Sequence, residues 1–99
     1  MNPEIPAPVR AVVVDDVDDM RQLICLLLER QGHFTVVAEA DNGQSGVTAT
    51  LAHRPDLVLL DITMPVMNGL QALKLIRSQV PSAVVVMLST WSRTSCSPS

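Results

Sequence analysis

Three acidic residues hold the most chemical promise: the adjacent pair Asp15 and Asp16, and Asp61. Each acid follows an apolar run. Asp15-Asp16 comes directly after Ala11-Val12-Val13-Val14, and Asp61 directly after Leu57-Val58-Leu59-Leu60. Runs that short, without polar alternation, read as strands buried on both faces. The acids then stand where each strand leaves the core, and open parallel α/β sheets bind ligands at the carboxyl ends of their strands. Taken alone, Asp61 reads equally well as an acid that caps the following turn or helix. Two runs with the same grammar change that reading. If they are neighbouring parallel strands, Asp15, Asp16 and Asp61 converge at one sheet edge. Carboxylates that close repel one another and raise each other's pKa. The arrangement makes sense around a hard cation, and one or two carboxylates plus water suit Mg²⁺.

The elements that must position these acids can be read in order. Arg10 to Val14 is the first strand. Asp18 is a plausible N-cap for the next helix. There Met20, Leu23, Ile24, Leu27 and Leu28 form one apolar stripe at offsets 0, 3, 4, 7 and 8. Gly32 ends that helix, His33 reads as a solvated loop residue, and Thr35 to Ala38 is a short second strand. Asn42-Gly43 opens a helix from Gln44 to about His53. Its apolar content is thin, and Gly46 and two threonines lower its propensity, so it is expected to be the least stable of the helices. Arg54-Pro55 stops it, and the strand ending in Asp61 follows. Asn68 is placed as N-cap of a helix through Leu70, Leu73, Ile76 and Arg77, closed by Val80-Pro81. Ala83 to Leu88 is an aliphatic fourth strand. Strands alternating with helices imply parallel, right-handed crossovers.

Composition narrows the classes. The 99 residues allow one small domain, and 47% hydrophobic with 17% charged residues describes a globular chain. Net charge is −3, with four of the ten acids at Asp15, Asp16, Asp18 and Asp19. No basic stripe offers a nucleic-acid surface, and no apolar run approaches a membrane span. Met1 to Pro8 is Pro-rich and lacks the order of a signal peptide, so it reads as a flexible lead-in. Cys25 and Cys96 show no metal spacing and are expected as free thiols in a reducing cytoplasm. Cys25 itself reads as a small packing residue. His53 has no second His or Cys at ligand spacing, and reads as a surface residue.

The chain resembles the receiver domain of bacterial two-component response regulators. The resemblance rests on Asp15-Asp16 after the first strand, Asp61 after the third, Met64-Pro65 and Gly69 behind it, and Ser89-Thr90 after Val84-Val85-Val86-Met87-Leu88. Phe34 to Ala40 with Asn42-Gly43 is similar to the subgroup whose output domain is a helix-turn-helix of the LuxR/NarL type. The resemblance covers roughly residues 9–90. It implies an α/β, flavodoxin-like (CheY-like) doubly wound parallel sheet with strand order 2-1-3-4. It also implies a cytoplasmic signalling module rather than an enzyme with an external substrate.

By the same resemblance Asp61 would be the phospho-acceptor, taking a phosphoryl group from a sensor histidine kinase as an acyl phosphate. Asp16 and Asp61 would bind Mg²⁺ directly, Asp15 mostly through water, and the Thr63 backbone carbonyl would complete the protein ligands. Ser89 would hydrogen-bond a phosphoryl oxygen. A complete receiver resembling this one continues with a fourth helix, a fifth strand ending in lysine and a fifth helix. Residues 91–99 hold four serines and no lysine, and Lys74 is the single lysine of the sequence. The expectation is therefore a receiver that stops after its fourth strand, impaired in transfer, with residues 91–99 outside the family pattern. An aliphatic fourth strand left unpaired and uncovered should drive self-association, most simply as a twofold dimer.

Other classes fit less well. A haloacid-dehalogenase-like phosphatase would need a second Asp where Thr63 stands. A dinucleotide-binding domain needs a glycine-rich turn after the first strand, where this chain has Asp15-Asp16-Val17-Asp18-Asp19. A non-catalytic interaction fragment remains the alternative to phosphotransfer.

Overall fold

The computed structural model describes residues 7–61 and 69–88. Strands β1 (Val9–Val14), β2 (Phe34–Ala40), β3 (Leu57–Asp61) and β4 (Val84–Leu88) alternate with helices α1 (Asp18–Arg30), α2 (Gly43–His53) and α3 (Gly69–Gln79). The strands form one sheet, all pairs parallel, in the order β2-β1-β3-β4. That is the doubly wound order the resemblance to receiver domains implied. Among the described residues there is no fourth helix, fifth strand or fifth helix. The lead-in over residues 1–6, Thr63, Asn68, Ser89, Thr90, Trp91 and the rest of the tail lie outside the described residues.

The two faces of the sheet are covered unequally. On one face Val12, Val14, Ala40, Val58 and Leu60 from the strands pack with Val47 of α2 and with Ala72 and Ile76 of α3. Val85 and Met87 of β4 point to the same face. α2 comes close because its inward residues are small: Gly43, Gly46, Val47 and Thr50 are all buried. A Cβ on Gly46 would stand 2.8 Å from both Val14 methyls. Gly46 therefore lowers helix propensity but permits the contact that seats the helix. Thr50 spends its hydroxyl inside the helix, donating to the Gly46 carbonyl at 2.8 Å. Asn42 caps α2 as expected, its Oδ1 accepting the Ser45 N–H at 2.8 Å. The helix stops at Arg54, which takes a left-handed conformation (φ 45°) before Pro55.

On the other face α1 lies over β1 and β2. Two sequence expectations need correcting here. Asp18 is not the N-cap: Val17 occupies that position with no side-chain cap, and Asp18 is the first helical residue. The Val17 N–H is taken by Asp15 Oδ1 at 2.9 Å, and the Asp18 carboxylate turns to Arg21. The apolar stripe is also displaced. Met20, Ile24, Cys25 and Leu28 are half-buried, whereas Leu23, Leu26 and Leu27 are about half exposed. α1 packs chiefly on β2 and β1, so the leucines on its flank stay partly exposed. Val84 and Val86 of β4, which alternate with Val85 and Met87, are exposed as well, at 61% and 41%. Gly32, at φ 80°, takes the left-handed position one residue beyond the Gln31 cap.

Pairing between β1 and β2 is interrupted once. Ala11 pairs with Val36 but Val12 pairs with Ala38, leaving Val37 as a bulge. β2 also runs to Ala40, longer than the four residues expected from Thr35 to Ala38. At the opposite end of the sheet Asp56 joins three strands. Its N–H donates to the Arg10 carbonyl at 2.8 Å, its carboxylate accepts the Arg10 N–H at 3.0 Å, and its carbonyl accepts the Val84 N–H at 2.9 Å.

The Gly46–Val14 contact sets a measurable expectation. Gly46→Ala should cost about 1–3 kcal/mol through overpacking, although alanine is the better helix former. In the background of Val14→Ala the same change should cost less or become stabilising. Urea unfolding of the four proteins checks the coupling.

Candidate cation and phospho-acceptor site

Strand register builds the site. Val14 pairs with Leu60, so the next residues, Asp15 and Asp61, come level at the carboxyl ends of adjacent strands. Both are buried, at 0% and 1% exposure. Asp16 follows at the mouth. One carboxylate oxygen from each of Asp15, Asp16 and Asp61 lies within 4.8 Å of the others. The convergence expected from two apolar runs is thus present.

Asp15 is held on several sides. Its N–H donates to the Ala40 carbonyl at 3.0 Å, and its Oδ1 accepts from Val17. Its Oδ2 is buried and finds no hydrogen-bond partner among the described residues. A buried carboxylate oxygen without a donor is costly in a metal-free protein and is the donor atom a hard cation takes. Burial is the largest cause that raises the Asp15 pKa. The Val17 N–H opposes it, and the charges of Asp61 and Asp16 add to it. Asp16 is raised too, first by burial and then by the charge of Asp61, with which it shares a hydrogen bond. The donor set is all oxygen and strongly anionic, so it fits Mg²⁺.

Two expected contributors, Thr63 and Ser89, lie outside the described residues. Two that sequence reasoning missed, Arg21 and Glu39, stand beside the site. Arg21 Nη1 donates to the Asp15 carbonyl at 2.8 Å, and its Nε donates to Glu39 Oε1 at 3.3 Å. The spacing of Asp18 and Arg21 on one helix could have revealed their ion pair, but no local pattern reveals the other two bonds. Other nucleophile candidates fall away. Burial, with Glu39 and Glu29 nearby, pushes the Cys25 thiol up to about 11. His33 and His53 are exposed on the surface. Among the described residues no helix is long and apolar enough to cross a membrane.

Comparison with known proteins points the same way. The response regulator receiver domain family matches residues 11–96. The chain is 46% identical over 80 residues to chemotaxis protein CheY of Bacillus subtilis, covering 81% of this chain and 66% of that one. Its fold is similar to the signal receiver domain of the putative response regulator NarL from Mycobacterium tuberculosis. That match has a TM-score of 0.81 and 38% identity, and covers 86% of this chain and 68% of that one. It is also similar to the CheX-CheY-BeF3-Mg complex from Borrelia burgdorferi, with a TM-score of 0.82 and 26% identity, covering 97% of this chain and 72% of its counterpart. The chain spans 66% of the length of that Bacillus subtilis CheY and as little as 21% of other curated relatives it matches.

The raised acids fix the sign of a pH dependence. Asp15 and Asp16 bind protons more tightly in the folded chain than at their ordinary value of 3.8. The stability tied to their neutral forms is complete below that value and is lost as pH rises through the folded values. In EDTA, Asp15→Asn keeps the acceptor for Val17 and removes one charge. It should raise the neutral-pH melting temperature by several degrees and flatten the loss above pH 4. Thermal melts across pH 4–8 check this, and Mg²⁺ should stabilise the wild type more than the variant.

Proposed function

The chain belongs to the response regulator receiver domain family, and from that membership we propose that Asp61 is its phospho-acceptor, served by Mg²⁺ held on Asp15, Asp16 and Asp61. A receiver is a signalling module, and this reading makes a sensor histidine kinase the phosphoryl donor and the cytoplasm the compartment. The observation that carries the reading is the buried Asp61 at the end of β3, with the Asp15 and Asp16 carboxylates within 4.8 Å of it.

The residues divide the work. An Asp61 carboxylate oxygen forms the new bond to phosphorus while the bond from phosphorus to the donor's imidazole nitrogen breaks, and the imidazole leaves with its electron pair. The product is an acyl phosphate on Asp61. Asp15 and Asp16 form no bond to phosphorus; they hold the cation beside the nucleophile. A bound Mg²⁺ would neutralise charge on the transferring phosphoryl oxygens. The Thr63 backbone carbonyl would add a ligand to that cation, and the Ser89 hydroxyl would donate to a phosphoryl oxygen.

Incubation with acetyl phosphate and Mg²⁺, read by intact mass, tests this reading. The wild type should gain one phosphoryl group, and Asp61→Asn should gain none. Asp16→Ala should slow the gain by about 10²–10³, the usual cost of losing one preorganised electrostatic partner. A gain of equal size and rate in Asp61→Asn would place the acceptor elsewhere.

One further mode of partnership has its own support. Val84 and Val86 are exposed on β4, which lies at the edge of the sheet among the described residues, and apolar edge strands pair readily. We propose that copies of this chain associate through β4. Size exclusion with light scattering should give a dimer for the wild type, and Val86→Lys should shift it towards monomer. A wild type that is monomeric at high concentration would refute this mode and leave the acceptor reading untouched.

A further inference from the structure

We propose that Arg21 is a positioning residue for the cation site, acting through the backbone of Asp15. The inference rests on the reading of Asp15, Asp16 and Asp61 as that site. Arg21 lies in the first turns of α1, yet its side chain is only 14% exposed. Its guanidinium is divided among three elements. Nη1 donates to the Asp15 carbonyl at 2.8 Å, where β1 ends. Nη2 donates to Asp18 Oδ1 at 2.6 Å, in the first turn of α1. Nε donates to Glu39 Oε1 at 3.3 Å, near the end of β2. One planar group thus ties the strand end, the helix start and the neighbouring strand.

The consequence falls on one oxygen. The Asp15 N–H is taken by Ala40, its Oδ1 by Val17 and its carbonyl by Arg21. Among the described residues only Oδ2 has no hydrogen-bond partner, and Asp15 belongs to the carboxylate cluster. Arg21 completes the set of bonds that fixes the loop in which Asp15 and Asp16 sit. It therefore holds mutually repelling carboxylates in place before any cation arrives. Groups that orient a metal ligand from behind commonly affect affinity about 10–100-fold.

Arg21 also carries a positive charge, and its charge acts on Asp15. Charge and positioning predict opposite effects on cation affinity. Neutralising a nearby cation should tighten Mg²⁺ binding if charge dominates. Losing the three-way fork should weaken it if positioning dominates. Lysine separates the two, because it keeps the charge and lacks the planar fork.

Mg²⁺ titration of the full chain by calorimetry, with amide hydrogen exchange of Val17 in the metal-free protein, tests the proposal. Both Arg21→Lys and Arg21→Gln should weaken Mg²⁺ binding by about 10-fold or more and speed exchange at Val17. The double variant Asp18→Asn with Glu39→Gln leaves the Asp15 carbonyl contact in place, so it should bind Mg²⁺ much as the wild type does. Tighter binding in Arg21→Gln with no change in Arg21→Lys would overturn the proposal in favour of a pure charge effect. Variants with lower melting temperatures but wild-type affinity and wild-type Val17 exchange would overturn it in favour of a merely structural role. A wild type that binds no Mg²⁺ would instead remove the cation site, and the positioning role with it.

Discussion

The parallel register between β1 and β3 is the constraint from which the rest follows. It is set by apolar packing: Val12 and Val14 share a face with Val58 and Leu60, and all four are essentially removed from water. Each buried side chain of that size contributes about 1.5–3 kcal/mol, and a slip of one residue would turn the whole set towards the opposite face. The register that satisfies these valines and leucines also sets Asp15 level with Asp61. Charge repulsion at the strand ends is thus imposed by the core and is tolerated because the core is strong. The site is built by forces that have nothing to do with its chemistry, and its unfavourable electrostatics are what give a cation something to relieve.

The two faces of the sheet solve the packing problem differently. Under α2 and α3 the fit is close and made with small groups, Gly46 against Val14 and Ala72 against the strands. Under α1 the fit is partial, and no residue of that helix is fully buried. The stable face anchors the acids through Val14 and Leu60. The open face holds Arg21, whose bonds govern the loop after β1.

Much of this was legible in the sequence. Two aliphatic runs ending in acid located two buried strands and the acidic cluster, because parallel strands buried on both faces leave a continuous apolar pattern. The strand order came from the resemblance to receiver domains. The ends of α1 were harder. Asp18 looks like a cap by type, but the helix starts one residue earlier than that reading needs. Asp15 Oδ1 takes the N–H of Val17, the N-cap, and the Asp18 carboxylate pairs with Arg21, contacts that depend on how the chain turns. The stripe through Leu23 and Leu27 was misplaced because periodicity reports which residues are apolar and says nothing of which neighbour covers them. The value of Gly46 was hidden for a similar reason: propensity counts against glycine in a helix, and only the distance to Val14 explains it. Arg21 and Glu39 are 18 residues apart, beyond the reach of any local pattern.

The bulge at Val37 acts as a parity change for the second strand. Side chains level with one another on parallel strands share a face, and Val37 and Ala38 both pack against the core because one residue has been slipped between Ala11 and Val12 of the register. Beyond that point odd and even exchange roles. Glu39 comes level with Val13, on the α1 side, and Ala40 comes level with Val14, in the core. With an unbroken ladder, Glu39 would stand opposite Val14 and carry its charge among Leu60, Val47 and Ile76, while Arg21 would lose one of its three partners. A single unpaired residue at one edge of the sheet thus decides whether an acid meets a cation or an aliphatic interior.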